Sequence, residues 1–109
     1  MTPAVRRTVA TGECLGPAVV LLHGFASRGD LDWPDAAWAE PFAASGRDVL
    51  VVDLPGHGDA ARPLGAPAPT SAVIAALADL ARAEGEIDLV GYSLGARLAW
   101  DLAQVPGVR

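Results

Sequence analysis

The sequence predicts an α/β protein, a three-layer α/β/α sandwich on a mostly parallel sheet. Three observations predict it. Short apolar runs alternate with helix-period segments in the order strand, helix, strand, helix, strand, helix. That alternation demands right-handed crossovers with helices on the faces of the sheet. The best runs are apolar continuously instead of at every second position, as strands covered on both faces require. Each of these runs then opens into a glycine-containing loop, and parallel sheets bind ligands outside the carboxyl ends of their strands.

Taken in order, Val5 to Ala10 is a strand candidate interrupted by Arg6 and Arg7 and closed by Gly12. Ala18-Val19-Val20-Leu21-Leu22 follows Gly16-Pro17 and is too short and β-branched for a helix. His23 to Asp32 is a polar loop. Asp35 to Ser45 reads as a helix, with Trp38 and Phe42 four apart on one face and Gly46 as its C-terminal cap. Pro41 inside it implies a kink or a break into two short pieces. Asp48 to Asp53 is the second clear strand. Leu54 to Pro69 holds four prolines and three glycines, so it is loop or excursion. Thr70 or Ser71 caps a helix whose Val73, Ile74, Leu77 and Leu80 keep helical spacing to Glu84, and Gly85 ends it. Ile87 to Gly91 is a third short strand. Leu94 to Val105 is a helix stopped by Pro106-Gly107.

Composition sets the bounds. A chain of 109 residues allows one domain and falls short of the roughly 200 residues of a complete large enzyme fold. Alanine supplies 22 of the 56 hydrophobic residues, so the core buries less area than a leucine-rich one would. The net charge is −5 and all eight basic residues are arginine, which argues against a nucleic-acid-binding surface. A lone Cys14 excludes an internal disulfide and a cysteine-based zinc site, and is expected as a small half-buried thiol. The Arg6-Arg7 start resembles a signal n-region, but Thr8 to Gly16 supplies no apolar h-region. The strongest apolar run, Ala18 to Leu22, is far short of a membrane span. A cytoplasmic protein with no metal and no organic cofactor is the expectation.

Three motifs carry chemistry. Gly91-Tyr92-Ser93-Leu94-Gly95 matches G-x-S-x-G between a strand and a helix. Such a turn holds its serine in a strained conformation at the top of the sheet, at a helix N-terminus that favours developing negative charge. The competing reading of Ser93 is an ordinary turn or cap serine. His23-Gly24-Phe25 ends the first strong strand. Acyl transfer needs two backbone N–H donors aimed at an oxyanion; Leu94 would supply one and Phe25 the other. His23 beside a glycine reads as a structural hydrogen-bonding residue in preference to a base. Asp53-Leu54-Pro55-Gly56-His57-Gly58 ends the second strand and reads as a rigid turn, with Asp53 accepting backbone hydrogen bonds.

In this order and spacing, Leu22-His23-Gly24-Phe25, Asp53-Leu54-Pro55-Gly56-His57-Gly58 and Gly91-Tyr92-Ser93-Leu94-Gly95 resemble the N-terminal half of the α/β-hydrolase superfamily, from about Ala18 to Gln104. The resemblance implies that Ser93 is the nucleophile and that the amides of Phe25 and Leu94 form the oxyanion hole. In it, His23, Gly24, Gly91 and Gly95 support the loop and the elbow, and the Ala18–Leu22 strand lies between the other two. The chain departs from the pattern after Gly58, where many relatives carry a serine two positions on and Asp59-Ala60 stands here. Gly95-Ala96-Arg97 also resembles the menaquinone-pathway synthases that eliminate pyruvate from a succinyl-cyclohexene intermediate. There the serine acts as a base and the arginine helps hold a carboxylate-rich substrate. Tyr92 and Arg97 are therefore candidates for substrate contact, although an exposed helix arginine paired with a nearby acid is the preferred reading of Arg97.

In the superfamily the serine is followed by an Asp or Glu and then a His from later strands. The only histidines here are His23 and His57, both already placed in upstream motifs. The expectation is thus a fold cut off after its nucleophile helix, a fragment inactive alone whose parent is a serine hydrolase acting on a small-molecule substrate. The alternatives are the pyruvate-eliminating lyase, or a catalytically dead short protein that binds a ligand or partner. The Ile87–Gly91 strand is expected as an exposed apolar edge open to self-association.

Overall fold

A computed structural model describes residues 3–54, 57–58 and 70–109. Four strands form one sheet: β1 (Ala4–Thr8), β2 (Ala18–Leu22), β3 (Val49–Asp53) and β4 (Ile87–Gly91). Their spatial order is β1-β3-β2-β4. β2 runs parallel to β3 on one side and to β4 on the other, while β1 is antiparallel to β3. Helices α1 (Gly29–Asp32), α2 (Ala39–Ala44), α3 (Thr70–Glu84) and α4 (Leu94–Leu102) complete the described elements. The central place of Ala18–Leu22 between the other two parallel strands is the place expected for it.

The three layers follow from the period of two along each strand. Val20 and Leu22 of β2, with Leu50 and Val52 of β3, face α3 and α4 and pack with Leu77, Ala81, Leu98 and Leu102. Their neighbours Val19, Leu21, Val49 and Val51 point to the opposite face and pack with Trp33, Ala39 and Phe42. Two-sided burial is the reason these runs lack polar positions. Each fully buried Val or Leu contributes roughly 1.5–3 kcal/mol by leaving water.

β1 is an edge strand, which explains its arginines. Alternation sends Arg6 to one face and Arg7 to the other. Arg6 pairs with Asp35 at 3.0 Å, ahead of α2. Arg7 reaches Asp48 at 2.9 Å and Glu84, at the end of α3, at 2.5 Å. Such exposed pairs are worth about 0–1 kcal/mol each, so they set register and blunt the edge more than they stabilise the core.

Several elements differ from the sequence expectation. The first strand is Ala4–Thr8, not Val5–Ala10. Within the segment expected to be one helix from Asp35 to Ser45, residues 35–38 form turns and α2 starts at Ala39. Pro41 lacks an N–H and so falls in the first turn of α2, where that donor would be unpaired anyway. The loop expected from His23 to Asp32 contains the single-turn α1, because the Gly29 N–H at its start is held by Asp53 Oδ1 at 2.7 Å. Gly46 and Gly85 end α2 and α3 at φ +91° and +86°, as expected. Most of the Leu54–Pro69 excursion, including Asp59-Ala60, lies outside the described residues, whereas Thr70 and Ser71, the cap candidates for α3, both fall inside that helix and not ahead of it. Cys14 is exposed, not half-buried, because the segment joining β1 to β2 runs outside the layers.

The end of α4 brings a further correction. The helix stops at Leu102 instead of Val105, and the chain turns back beside β4. The Ile87 N–H donates to the Gly107 carbonyl at 2.8 Å, Arg109 N–H to Ile87 at 2.9 Å, and Leu89 N–H to Arg109 at 3.0 Å. The first half of the β4 edge is therefore paired, and the open edge foreseen from the sequence is reduced to its carboxyl end. No helix among the described residues is long and apolar enough to cross a membrane.

Leu50 is 1% exposed at the centre of the larger cluster. Leu50→Ala is expected to lower stability by about 2–5 kcal/mol through the cavity it leaves, measurable as a fall in the urea midpoint at unchanged slope.

Candidate active site

The three loops at the carboxyl ends of β2, β3 and β4 meet at one place. Only Tyr92 and Ser93 separate the end of β4 from the start of α4, so the chain must reverse within two residues. Ser93 carries the strain of that reversal, with φ 55° and ψ −113°. A non-glycine residue there costs on the order of 1–3 kcal/mol. Glycine on either side makes the turn sterically feasible: a Cβ on Gly91 would collide with the Gly95 carbonyl, and one on Gly95 with the carbonyl of Leu22. The turn is fastened by Tyr92 N–H to Leu22 O at 3.1 Å and Gly95 N–H to Tyr92 O at 2.9 Å.

Ser93 occupies the N-cap position of α4, yet its side chain makes no capping hydrogen bond. It is exposed. As the first residue of the helix, Leu94 has no carbonyl four residues back inside the helix to accept its N–H. Among the described residues neither the Leu94 nor the Phe25 amide donates a hydrogen bond. Gly24 brings the β2 loop against the elbow, since a Cβ there would lie 3.3 Å from Ser93 Cβ and 3.2 Å from the Tyr92 ring.

His23 is buried and fully engaged. Its Nε2 accepts the Leu54 N–H at 2.9 Å, which leaves Nδ1 as the protonated nitrogen, donating to the Gly24 carbonyl at 2.7 Å. The ring ties the end of β2 to the end of β3 and has no nitrogen left for proton transfer. Asp53 has the backbone-accepting role expected of it, through Gly29. His57 packs its ring 5.0 Å from that of His23 and 6.2 Å from that of Phe25. Phe25 (78% exposed) and Tyr92 (61% exposed) place two aromatic rings at the surface of these loops. Arg97 lies one turn into α4, exposed, and pairs with no carboxylate among the described residues.

Sequence reasoning missed Asp32. Its Oδ2 accepts the Gly24 N–H at 2.7 Å and its Oδ1 the Ser27 hydroxyl at 2.9 Å. It also missed Ala26, at φ 57°, in a turn closed by Ser27 N–H to Gly24 O at 3.3 Å. A glycine or asparagine would have marked that turn; alanine does not. Nothing local marks Asp32 either, because its partners lie five and eight residues upstream in an irregular loop.

A sequence model of the alpha/beta hydrolase family matches residues 19–109. Among solved structures, MenH from S. aureus is 26% identical, with a TM-score of 0.78 over 94% of this chain and 38% of its own. A thermophilic esterase from Thermogutta terrifontis is 26% identical, with a TM-score of 0.72 over 97% of this chain and 37% of its own. The deformylase Nfo from Pseudomonas putida S16 is also 26% identical, with a TM-score of 0.71 over 93% and 36%. This chain thus spans under two fifths of the length of the structures it resembles. No curated protein matches the sequence.

Two substitutions measure how tightly the elbow is built. Gly95→Ala is expected to destabilise by about 3 kcal/mol, because the obstacle is backbone and cannot swing away. Ser93→Gly is expected to raise stability by about 1 kcal/mol by relieving the positive φ. Urea midpoints report both, and the opposite signs separate strain from crowding.

Proposed function

The chain belongs to the alpha/beta hydrolase family, and on that premise we propose that Ser93 is the nucleophile of a serine hydrolase acting on an ester or related acyl bond. One observation carries the reading: the exposed Ser93 is held at φ 55° with its side chain spared from capping. Backbone strain at a non-glycine residue persists where the surroundings over-determine it, and it clusters at functional sites. In the reaction, Ser93 Oγ adds to the carbonyl carbon as its proton passes to a base. The oxygen that becomes negative is received by the N–H groups of Phe25 and Leu94. Collapse expels the leaving group, leaves the acyl group on Ser93, and water then releases it. Each oxyanion donor is worth on the order of 10²–10³ in rate.

The base and its orienting acid have no candidate here. His23 is engaged at both nitrogens, and His57 belongs to the β3 loop. The activity is therefore assigned to a protein in which a His and an acid join this segment, and the 109 residues alone are expected to be inactive. Phe25 and Tyr92 would offer apolar contact to the acyl or alcohol group of a small-molecule substrate.

A second reading is favoured by Arg97, exposed beside the elbow with no acid pairing it among the described residues. In pyruvate elimination from an anionic cyclohexene, Ser93 would abstract a proton and Arg97 would hold a carboxylate. The likeness to MenH from S. aureus supports it.

Fluorophosphonate labelling of a chain that carries this segment with its His and acid is expected to disappear in Ser93→Ala. The isolated 109 residues should label slower by about 10⁴-fold or more, the loss that removing triad members brings. Retained labelling of Ser93→Ala would overturn the nucleophile assignment. Assays with short acyl esters and with the anionic cyclohexene divide the two readings, because Arg97→Ala should abolish turnover of the anionic substrate alone.

A further inference from the structure

We propose that Asp32 is a positioning residue that holds the β2 loop in the shape the Phe25 amide needs; this rests on the reading of Ser93 and Phe25 given above. Beyond the His23 Nδ1–H bond to the Gly24 carbonyl at 2.7 Å, the loop from Gly24 to Ser27 has little to hold it locally. Phe25 is exposed, Ala26 sits at φ 57°, and the turn is closed by one long hydrogen bond of 3.3 Å. Asp32 grips both ends of that turn at once. One carboxylate oxygen takes the Gly24 N–H at 2.7 Å and the other takes the Ser27 hydroxyl at 2.9 Å. Phe25 and Ala26 lie between those two anchors, so the placement of the Phe25 N–H depends on where Asp32 stands as well as on the His23 bond to the Gly24 carbonyl of the same peptide unit.

Asp32 is itself fixed from two directions. It is the last residue of α1, whose first N–H, that of Gly29, is tied to Asp53 at the end of β3. The next residue, Trp33, is buried against Val19, Leu21 and Val51 of the sheet and donates its backbone N–H to Gly29 O at 2.8 Å. The single-turn helix is thus a strut between the sheet and the loop. A hydrogen bond from a backbone N–H to a carboxylate is about twice as strong as a neutral one. A loop amide misplaced by about 1 Å can cost on the order of 10²-fold in rate, so a strut of this kind has leverage on the reaction without touching a substrate.

Geometry and charge can be told apart. Asp32→Asn keeps an acceptor for the Gly24 N–H and a polar group for Ser27 but removes the charge. Asp32→Ala removes both anchors. In a chain that carries this segment with its His and acid, kinetics of labelling by an alkyl fluorophosphonate should show a fall of about tenfold or more in the maximal labelling rate for Asp32→Ala. The concentration for half-maximal rate should stay within about twofold, and Asp32→Asn should recover to within about threefold of wild type. A merely structural role would not produce that split or that rescue. Unchanged labelling of Asp32→Ala, a change confined to the half-maximal concentration, or an Asp32→Asn as slow as Asp32→Ala would each overturn the proposal alone. A wild-type chain that does not label would overturn the nucleophile reading and this proposal with it. Should Asp32→Ala fail to fold by circular dichroism, Ser27→Ala carries the same test, with an expected fall of about threefold in the maximal rate from losing one anchor.

Discussion

The carbonyl of Leu22 is the point on which the other features turn. It ends the central strand, accepts the Tyr92 N–H, and lies under Gly95 so closely that no side chain fits between them. This contact sets the distance between β2 and the start of α4, and so forces the two-residue reversal that strains Ser93. The strain is offset by what the reversal makes available. Leu98 and Leu102 of α4 are both buried against the strands, at roughly 1.5–3 kcal/mol each, against roughly 1–3 kcal/mol for the backbone of Ser93. The elbow is held closed by the helix that follows it.

From that point the site is assembled by long-range hydrogen bonds more than by packing. His23 joins β2 to β3 through the Leu54 N–H. Asp53 joins β3 to α1 through Gly29, and Asp32 joins α1 back to Gly24 and Ser27. The path starts and ends on the loop that lies against Ser93, which is thus enclosed in a ring of side-chain hydrogen bonds. The His23 and Asp53 bonds in this ring are buried, where polar groups left unpaired are costly, while those of Asp32 are half-buried.

What was legible in the sequence was what depends on short-range periodicity and on steric necessity. Ala18 to Leu22 and Ile87 to Gly91 appeared as strands at the bounds seen in the structure, the first because a continuous apolar run has one stable placement in a two-sided sheet. Gly91 and Gly95 pointed to the elbow because only glycine fits such a turn. The loops that shape the site were less legible. Asp32, Ala26 and the one-turn helix between Gly29 and Asp32 are specified by partners brought near through folding, and no local pattern encodes them. The end of α4 was misplaced for a related reason: Val105 fits the helical period, but pairing of Gly107 to Arg109 with β4 requires the chain to turn sooner.

On the proposed reading, the division of catalytic labour follows from which groups a strand end can supply. Backbone N–H groups at the ends of β2 and β4 come with the fold, and their direction is set by the same bonds that hold the loops. An oxyanion hole can therefore be complete in the segment that contains those strands. A base cannot be supplied in this way, because it must be a side chain with a nitrogen free to take a proton, and His23 has spent both of its own on tying β2 to β3. That structural use is incompatible with catalysis: moving the ring to reach Ser93 would leave the Leu54 N–H without its acceptor and open the junction that carries Gly24. The residue that stabilises the oxyanion loop and the residue that activates the serine must then be different histidines. In this chain the first role is filled.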